Sequence, residues 1–236
     1  MKPVNVCAAL VAFAIATAGV AAQTGETIFT AVSANVADPG GPVKIRIQRW
    51  SASEQAAPLV AALNPPPPAP RGAGADGVPR GAGPAGSDGA RAGGAAGRAG
   101  RARGRGRGGA PAVPLSPTAA LAQAIGRAPT IGYLWTSDVT GYAIKYAYRA
   151  PLPDGGERVI LASDRRLGTH SAAWQPTASN LTDYEFTVIE IRFNAKGVGE
   201  GKTSLTTKVM VDNEAKTVAL ENYATAASIL RNVKRS

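Results

Sequence analysis

His170 is the only histidine in the chain and therefore the first candidate for acid–base chemistry. A Ser-His-Asp triad would need an aspartate such as Asp138 or Asp164 to orient the imidazole, and a serine within its reach. The sequence contains no Gly-x-Ser-x-Gly segment that would expose such a serine on a strand-to-helix turn. The surrounding residues, LGTHSAAW, are typical of a polar loop, so we interpret His170 as a loop residue. A secreted hydrolase that uses His170 or acidic residues stays open as an alternative.

Carboxylate pairs are the second candidate chemistry, because two of them can hydrolyse a glycosidic bond. Glu185 and Glu190 lie on one predicted strand, but their odd separation places them on opposite faces. Glu190 and Arg192 share a face, which predicts a structural ion pair near a strand end. The functional alternative is a polar anchor in a ligand cavity, joined by Lys145 or Arg149.

Tyrosines at strand spacing are the third candidate. The segment GYAIKYAYR alternates between aromatic or apolar residues and small or charged ones, which predicts a strand with one aromatic face. Such a face more often belongs to a core, although with Trp135 or Trp174 it would line a ligand pocket. The candidate ligand-binding residues are Tyr142, Tyr146, Tyr148, Glu190 and Arg192.

Metal, cofactor and nucleotide chemistry have little support in the sequence. One histidine does not complete the usual zinc site, and the only cysteine, Cys7, lies in an N-terminal segment that we expect to be removed. The segment KGVGEGKTS at 196–204 ends like a P-loop, but Lys196 occupies the first glycine position and TSLTTKVMV follows with strand-like alternation. We interpret it as a hairpin turn and predict neither a metal nor a cofactor.

The first 22 residues predict export. Lys2 precedes an apolar run of about 17 residues, at the lower limit for spanning a bilayer. Val20, Ala21 and Ala22 then supply the small residues of a cleavage site. An uncleaved membrane anchor is the alternative. No later segment is long and apolar enough to span a bilayer, so we expect a periplasmic or extracellular protein with no transmembrane segment after cleavage.

A change in composition divides the remaining chain. Residues 64–115 are mostly Gly, Ala, Pro and Arg and include no aromatic residue. Such a segment cannot bury enough apolar surface to offset an ordering cost of roughly 1–2 kcal/mol per residue. We predict a disordered insertion between two parts of one β domain, 23–63 and 116–236. The insertion's eight arginines and two aspartates, together with Lys2, account for seven of the ten net positive charges, which leaves three on the β domain.

The arginines of the insertion are a candidate site for polyanions such as nucleic acid, anionic lipid or acidic polysaccharide. The insertion has no aromatic residue that could stack on bases, and counterion release carries no sequence information. We therefore expect non-specific binding, with no specific nucleic acid as partner. The candidate residues are Arg98, Arg101, Arg103, Arg105 and Arg107.

The elements that would carry these residues are mainly strands. VKIRI alternates, and YEFTVIEIRF is apolar on both faces, as in a central strand that is covered on both sides. Two helices flank the insertion: Ser51 and Glu54 predict a capping box before the first, and Ser116 with Pro117 begins the second. We therefore predict a mainly β fold with one or two short helices, in which an antiparallel meander of about seven to nine strands forms a sandwich or open barrel.

The succession of LPDGGERVILASDRRLG, YEFTVIEIRF, GVGEGK and LENY resembles a family of exported bacterial proteins to which no activity is assigned. The resemblance spans roughly Gly132 to Arg235. It implies a shared fold, and it implies no activity and no functional residue. Because the sequence also offers no complete catalytic set, we expect a non-enzymatic β domain that binds a ligand or partner in the bacterial envelope.

Overall fold

Strands dominate the structure because most segments of this chain alternate apolar with polar residues or are apolar on both faces. The computed structural model describes residues 25–65, 115–136 and 139–236. The strands are β1 (Thr27–Ser33), β2 (Val43–Ile47), β3 (Gly132–Thr136), β4 (Val139–Pro151), β5 (Glu157–Ser163), β6 (Thr187–Phe193), β7 (Gly199–Thr203), β8 (Val209–Asp212), β9 (Thr217–Leu220) and β10 (Ser228–Arg235). Two helices, α1 (Ser53–Leu63) and α2 (Pro117–Arg127), lie between β2 and β3, and a 3₁₀ turn spans Ala172–Trp174.

Some of the predicted features lie outside the described residues. They are the leader at 1–22, the part of the insertion at 66–114 and, within it, the five candidate arginines. They stay predictions.

Eight of the strands form a closed antiparallel barrel in the order β1-β2-β3-β4-β5-β6-β7-β10, and β8 pairs with β9 in a separate hairpin. The predicted mainly β, antiparallel fold with one or two short helices is confirmed, and there are two. The meander closes into a barrel because β1 pairs with β10, where Phe29 lies opposite Arg235. These two strands stand near opposite ends of the described chain, so no local pattern indicates that they pair.

Apolar side chains fill the inside of the barrel. The buried cluster there includes Ile45, Leu134, Leu161 and Ile191. Phe29 stacks on Phe193, with 5.4 Å between the ring centroids. Trp174 enters from the 3₁₀ turn, is completely buried, and meets Tyr142 edge-on at 6.3 Å between centroids. The barrel is thus stabilised by a packed core of its own.

A second layer covers the outer face of β4, β5 and β6. It consists of α1, α2 and the β8–β9 hairpin, and it forms a second buried cluster with those strands. Members of this cluster are Ala56, Leu59, Leu121, Ile125, Tyr146, Ile160, Phe186, Val188, Val218 and Leu220. On β6, Val188 faces this layer while Ile189 faces the barrel core, so the predicted central strand covered on both sides is confirmed.

The start of α1 differs from the prediction, which placed a capping box at Ser51 and Glu54. The helix is capped at Ala52, whose N–H donates to the side-chain oxygen of Gln55 at 3.0 Å. Ser51 Oγ instead accepts the N–H of Ala147 on β4 at 3.1 Å. The predicted cap is wrong because a tertiary contact with the barrel engages the serine.

The start of α2 follows the prediction. Ser116 Oγ accepts the N–H of Ala119 at 3.2 Å, and Pro117 is the first helical residue. Neither helix of the described ranges is long and apolar enough to cross a membrane.

Candidate functional site

A β-bulge in β4 separates the tyrosines that strand periodicity places on one face. Consecutive residues of β5 lie opposite Ile144 and Tyr146, so Lys145 is an extra residue in β4. One extra residue turns the following side chains to the other face of the sheet. Tyr142 therefore faces the barrel core, while Tyr146 and Tyr148 face the outer layer. The prediction of a single aromatic face is wrong.

Tyr146 connects the barrel to the β8–β9 hairpin. Its hydroxyl lies 2.7 Å from Oγ1 of Thr217 on β9, and both side chains are buried. Burial raises the pKa of Tyr146 to about 12, so this phenol is neutral at ordinary pH. Burial also raises the pKa of Tyr148, which is only partly covered. The two tyrosines support the outer layer of the fold.

Glu190 and Arg192 form an ion pair on the outer face of β6. Glu190 is completely buried, and its Oε1 accepts from Nε of Arg192 at 2.9 Å. Its Oε2 accepts the N–H of Leu220 at 3.0 Å, and the Arg192 guanidinium lies 4.0 Å from the ring centroid of Tyr223. Both carboxylate oxygens are thus engaged in holding β9 and the following turn against the barrel.

Lys202 joins this cluster, and sequence reasoning missed it. It lies on β7 directly opposite Glu190, is buried, and donates from Nζ to the carbonyl oxygen of Ala224 at 3.1 Å. Tyr223 lies beside both cations and donates its hydroxyl to the carbonyl oxygen of Glu200 at 2.7 Å. Burial, and then the Glu200 charge, raise the pKa of Tyr223 well above its ordinary value. The five predicted ligand-binding residues are therefore divided between the core, the outer layer and this cluster, and they do not line one pocket.

His170 is exposed and lines an open cleft of about 380 Å³. Asp164, Asp183 and Glu185 line the same cleft, and no serine does. The prediction that Glu185 and Glu190 share a strand is wrong, because β6 begins at Thr187. Glu185 lines this cleft, whereas Glu190 is buried within β6, so the two carboxylates are apart. Within the described ranges, no three His, Cys, Asp or Glu side chains are placed to hold a metal ion. Asp138, the other aspartate that could orient His170 in a triad, lies outside the described residues.

The outer wall formed by β2 and β3 carries a different set of side chains, which the helices and the hairpin leave at the surface. Inward apolar residues alternate there with outward Lys44 and Arg46 on β2 and with outward Tyr133 and Trp135 on β3. Pairing of the strands places Lys44 opposite Trp135 and Arg46 opposite Tyr133. Side chains directly opposite each other on one face lie about 5 Å apart. Each cation therefore has an aromatic neighbour.

Closure of the barrel extends this surface over β1 and β10. Thr30 lies opposite Lys44 on one side and opposite Lys234 on the other. Val32 lies opposite Arg231, and both are exposed. Four strands at about 4.8 Å spacing make a surface about 15 Å wide. We call it the basic wall, and it consists of Val32, Lys44, Arg46, Tyr133, Trp135, Arg231 and Lys234.

The charged side chains on the four strands of the basic wall are all cations. None of the four strands contains an Asp or a Glu. Glu26, just before β1, pairs with Arg46 at 2.8 Å between Oε2 and Nη2. The cations Lys44, Arg231 and Lys234 take part in no ion pair within the described ranges. The basic wall therefore carries a net positive charge, which Glu26 offsets only in part.

Apolar groups are exposed among these cations. Val32 keeps 53% of its surface accessible and Tyr133 keeps 43%, while Trp135 is half-buried. Gly141 on β4 lies beside the two aromatic residues, where a Cβ would be 3.8 Å from Cβ of Trp135 and 4.0 Å from Cδ1 of Tyr133. The glycine therefore leaves that flank of the aromatic pair without a covering side chain.

A scan of protein-family models, a search of curated proteins and a search of solved structures each gave no match. The geometry defines a closed, eight-stranded antiparallel β-barrel domain with a packed interior, an outer helical layer on one side and a cationic, aromatic surface on the other. The alternation in VKIRI and GYLWT contains part of the signal for this surface. That these two strands are neighbours, and that β10 adds Arg231 and Lys234 to the surface, follow only from the strand pairing.

Proposed function

We propose that this chain is an exported, non-enzymatic β-barrel domain that binds an anionic partner in the bacterial envelope through the basic wall. One observation carries the proposal: four cations and two aromatic side chains share the part of the barrel wall that the outer layer leaves uncovered. The expected leader at residues 1–22 supports export.

The composition of the wall supports binding over simple solubility. A surface that only keeps a protein soluble intersperses charges of both signs. Here three cations lack a carboxylate partner within the described ranges, and tyrosine and tryptophan stand among them. Exposed aromatic residues are enriched at binding surfaces because they combine a large apolar area with a polar tip.

The rest of the described structure supports a surface site over an internal one. The barrel core is filled by its own side chains, so a partner would meet the outside of the wall. His170 stands on an open cleft without a serine, and Glu190 uses both carboxylate oxygens within the fold. This distribution supports a binding role more than a catalytic one.

Charge reversal within the whole chain tests the proposal. The wall variant combines Lys44→Glu, Arg231→Glu and Lys234→Glu. A matched control reverses three exposed cations elsewhere, Arg165→Glu, Lys196→Glu and Lys208→Glu, and changes the net charge equally. Because binding to a polyanion falls with salt in proportion to the contacts made, we expect the wall variant to elute from immobilised heparin at clearly lower salt than the control. Equal elution of the two variants would mean that net charge alone determines retention, and the proposal would be wrong.

The arginines of the insertion provide the competing explanation. A third variant replaces the five candidate arginines by serine: Arg98, Arg101, Arg103, Arg105 and Arg107. If the basic wall is the site, this variant keeps most of the salt-resistant retention. If retention disappears in this variant and survives the wall reversal, binding belongs to the insertion and the wall is not the site.

A further inference from the structure

We infer that the anionic partner is a lipid bilayer surface, on which the basic wall lies with Val32, Tyr133 and Trp135 in the interfacial region. This inference rests on the proposed function, because it names the partner of the same surface. Three features of the wall lead to it: its shape, its exposed apolar side chains and the position of its cations around them.

The shape of the wall suits a flat partner. The four strands belong to a closed barrel, so their outer face is convex. Proteins that hold single-stranded nucleic acid instead follow the strand with a positively charged groove. The four clefts described for this structure lie elsewhere, and none of them is lined by a residue of the basic wall. The wall therefore offers a soluble strand no groove to lie in, whereas docking on the broad face of a bilayer requires none.

The exposed apolar side chains of the wall would be buried at the boundary of a bilayer. Val32 stands beside Arg231, so an accessible aliphatic group lies next to a cation instead of inside the core. A soluble polysaccharide offers such a group no apolar surface to bury against, and nucleic acid offers only the faces of its bases, whereas the boundary of a bilayer buries aliphatic groups. Tyrosine and tryptophan favour this boundary because their rings are amphipathic. Val32, Tyr133 and Trp135 occupy outward positions on β1 and β3, on either side of the two cations of β2.

The cations are placed to meet lipid headgroups around those side chains. Lys44 lies between Trp135 and Thr30, and Lys234 follows on the next strand. Each lysine or arginine near an anionic leaflet strengthens binding by roughly fivefold. Removal of three such charges is therefore expected to weaken binding by roughly 100-fold, and reversing them by more. Arg46 contributes less, because Glu26 pairs with it.

Vesicle binding by the whole chain tests the inference. We would measure co-sedimentation with two kinds of vesicle. One is phosphatidylcholine alone, and the other contains about one third phosphatidylglycerol, which makes its surface anionic. The expected result is binding to the anionic vesicles only, and a loss of roughly 100-fold or more in the wall reversal variant but not in its matched control. Thermal unfolding followed by circular dichroism establishes that each variant is folded.

An apolar variant separates a lipid surface from a soluble polyanion. Val32→Ser with Tyr133→Ser removes exposed apolar groups without changing charge. Leu181→Ser with Met210→Ser is the matched control, since those side chains are 48% and 44% exposed on other surfaces. We expect the first pair to lose vesicle binding while it keeps its heparin retention, and the second pair to keep both.

Tryptophan emission gives an independent readout. Of the three tryptophans, Trp50 and Trp174 are buried in the core, and only Trp135 is placed to enter an interface. We expect a blue shift of the emission on adding anionic vesicles, and Trp135→Phe should abolish it. Absence of a shift while the protein is bound would overturn the predicted orientation.

The outcomes distinguish this inference from the proposed function. Salt-sensitive binding to a single-stranded oligonucleotide or to heparin, lost in the wall reversal variant, with no binding to anionic vesicles, overturns the lipid inference and leaves the proposed function in place. Vesicle binding that survives the wall reversal and disappears when the five candidate arginines of the insertion are replaced overturns both. The absence of salt-sensitive binding to the oligonucleotide, to heparin and to anionic vesicles also overturns both the lipid inference and the proposed function.

Discussion

Replacement of Tyr146 by phenylalanine tests the placement of this residue in the outer layer, which follows from the bulge in β4. The hydroxyls of Tyr146 and Thr217 lie 2.7 Å apart, and both side chains are buried. Phenylalanine keeps the ring but leaves the threonine hydroxyl without its partner. We therefore expect the free energy of unfolding at pH 7 to fall by about 1–2 kcal/mol.

The same substitution should make the protein less sensitive to alkali. Burial raises the pKa of Tyr146 from 10.0 to about 12, so the folded state favours the neutral phenol. This contribution to stability is complete below pH 10 and is lost as the pH rises from 10 through 12. A difference of two units corresponds to about 3 kcal/mol. Phenylalanine does not ionise, so the stability of the variant should overtake that of the parent between pH 10 and pH 12.

Urea denaturation followed by circular dichroism at pH 7, 10, 11 and 12 measures both effects. Burial also raises the pKa values of Tyr148, Tyr184 and Tyr223, so the parent curve alone does not isolate Tyr146. The difference between parent and variant does, because the other tyrosines are common to both. Parallel stability curves from pH 10 to pH 12, together with additive effects of Tyr146→Phe and Thr217→Val, would refute the placement of this tyrosine.

Further substitutions test other parts of the fold. Gly132→Ala should destabilise the protein by about 3 kcal/mol or more, since a Cβ would overlap a backbone carbonyl of β2. Gly141→Ala is the control, because its Cβ would lie at an ordinary 3.7 Å from the carbonyl oxygen of Leu134. In thermal melts it should change stability by less than about 1 kcal/mol. Glu190→Ala leaves the buried N–H of Leu220 without an acceptor and should lower the unfolding free energy in urea by about 2–4 kcal/mol, while Glu190→Gln keeps an oxygen there and should lower it less. Gly126→Ala adds a methyl group to α2 where nothing lies within 4 Å, so it should raise the melting temperature through a gain of about 0.5–1 kcal/mol; a decrease would mean that this turn is not helical.

Local patterns predicted the elements of this fold but not its closure. Alternation in VKIRI and the two apolar faces of YEFTVIEIRF indicate strands correctly, because side-chain burial on one or both faces is a local requirement. The pairing of β1 with β10 depends on the whole path of the chain. A sandwich, an open barrel and a closed barrel require the same inward apolar residues, so periodicity does not distinguish them.

The tyrosine prediction was wrong for a different reason. Period-2 counting assumes an uninterrupted strand, and GYAIKYAYR alternates in a way that satisfies it. The bulge at Lys145 inserts one residue into the pairing with β5 and sends Tyr146 to the outer layer. The inserted lysine lies 3.6 Å from Asp164, measured from Nζ to Oδ2. The partner strand determines the bulge, and the β4 sequence alone does not contain it.

The basic wall depends on the same kind of long-range information. Outward cations in VKIRI have the pattern of any solvated strand, and outward aromatic residues in GYLWT have the pattern of a buried one. The segment between them forms α1 and α2, which pack over β4, β5 and β9. Because the helices pack there, they leave the outer faces of β2 and β3 exposed, and closure of the barrel brings Arg231 and Lys234 to the same surface. A candidate site made of residues from four strands therefore becomes visible only when the register of every pair is known, and the wall reversal and apolar variants test that register as well as the binding.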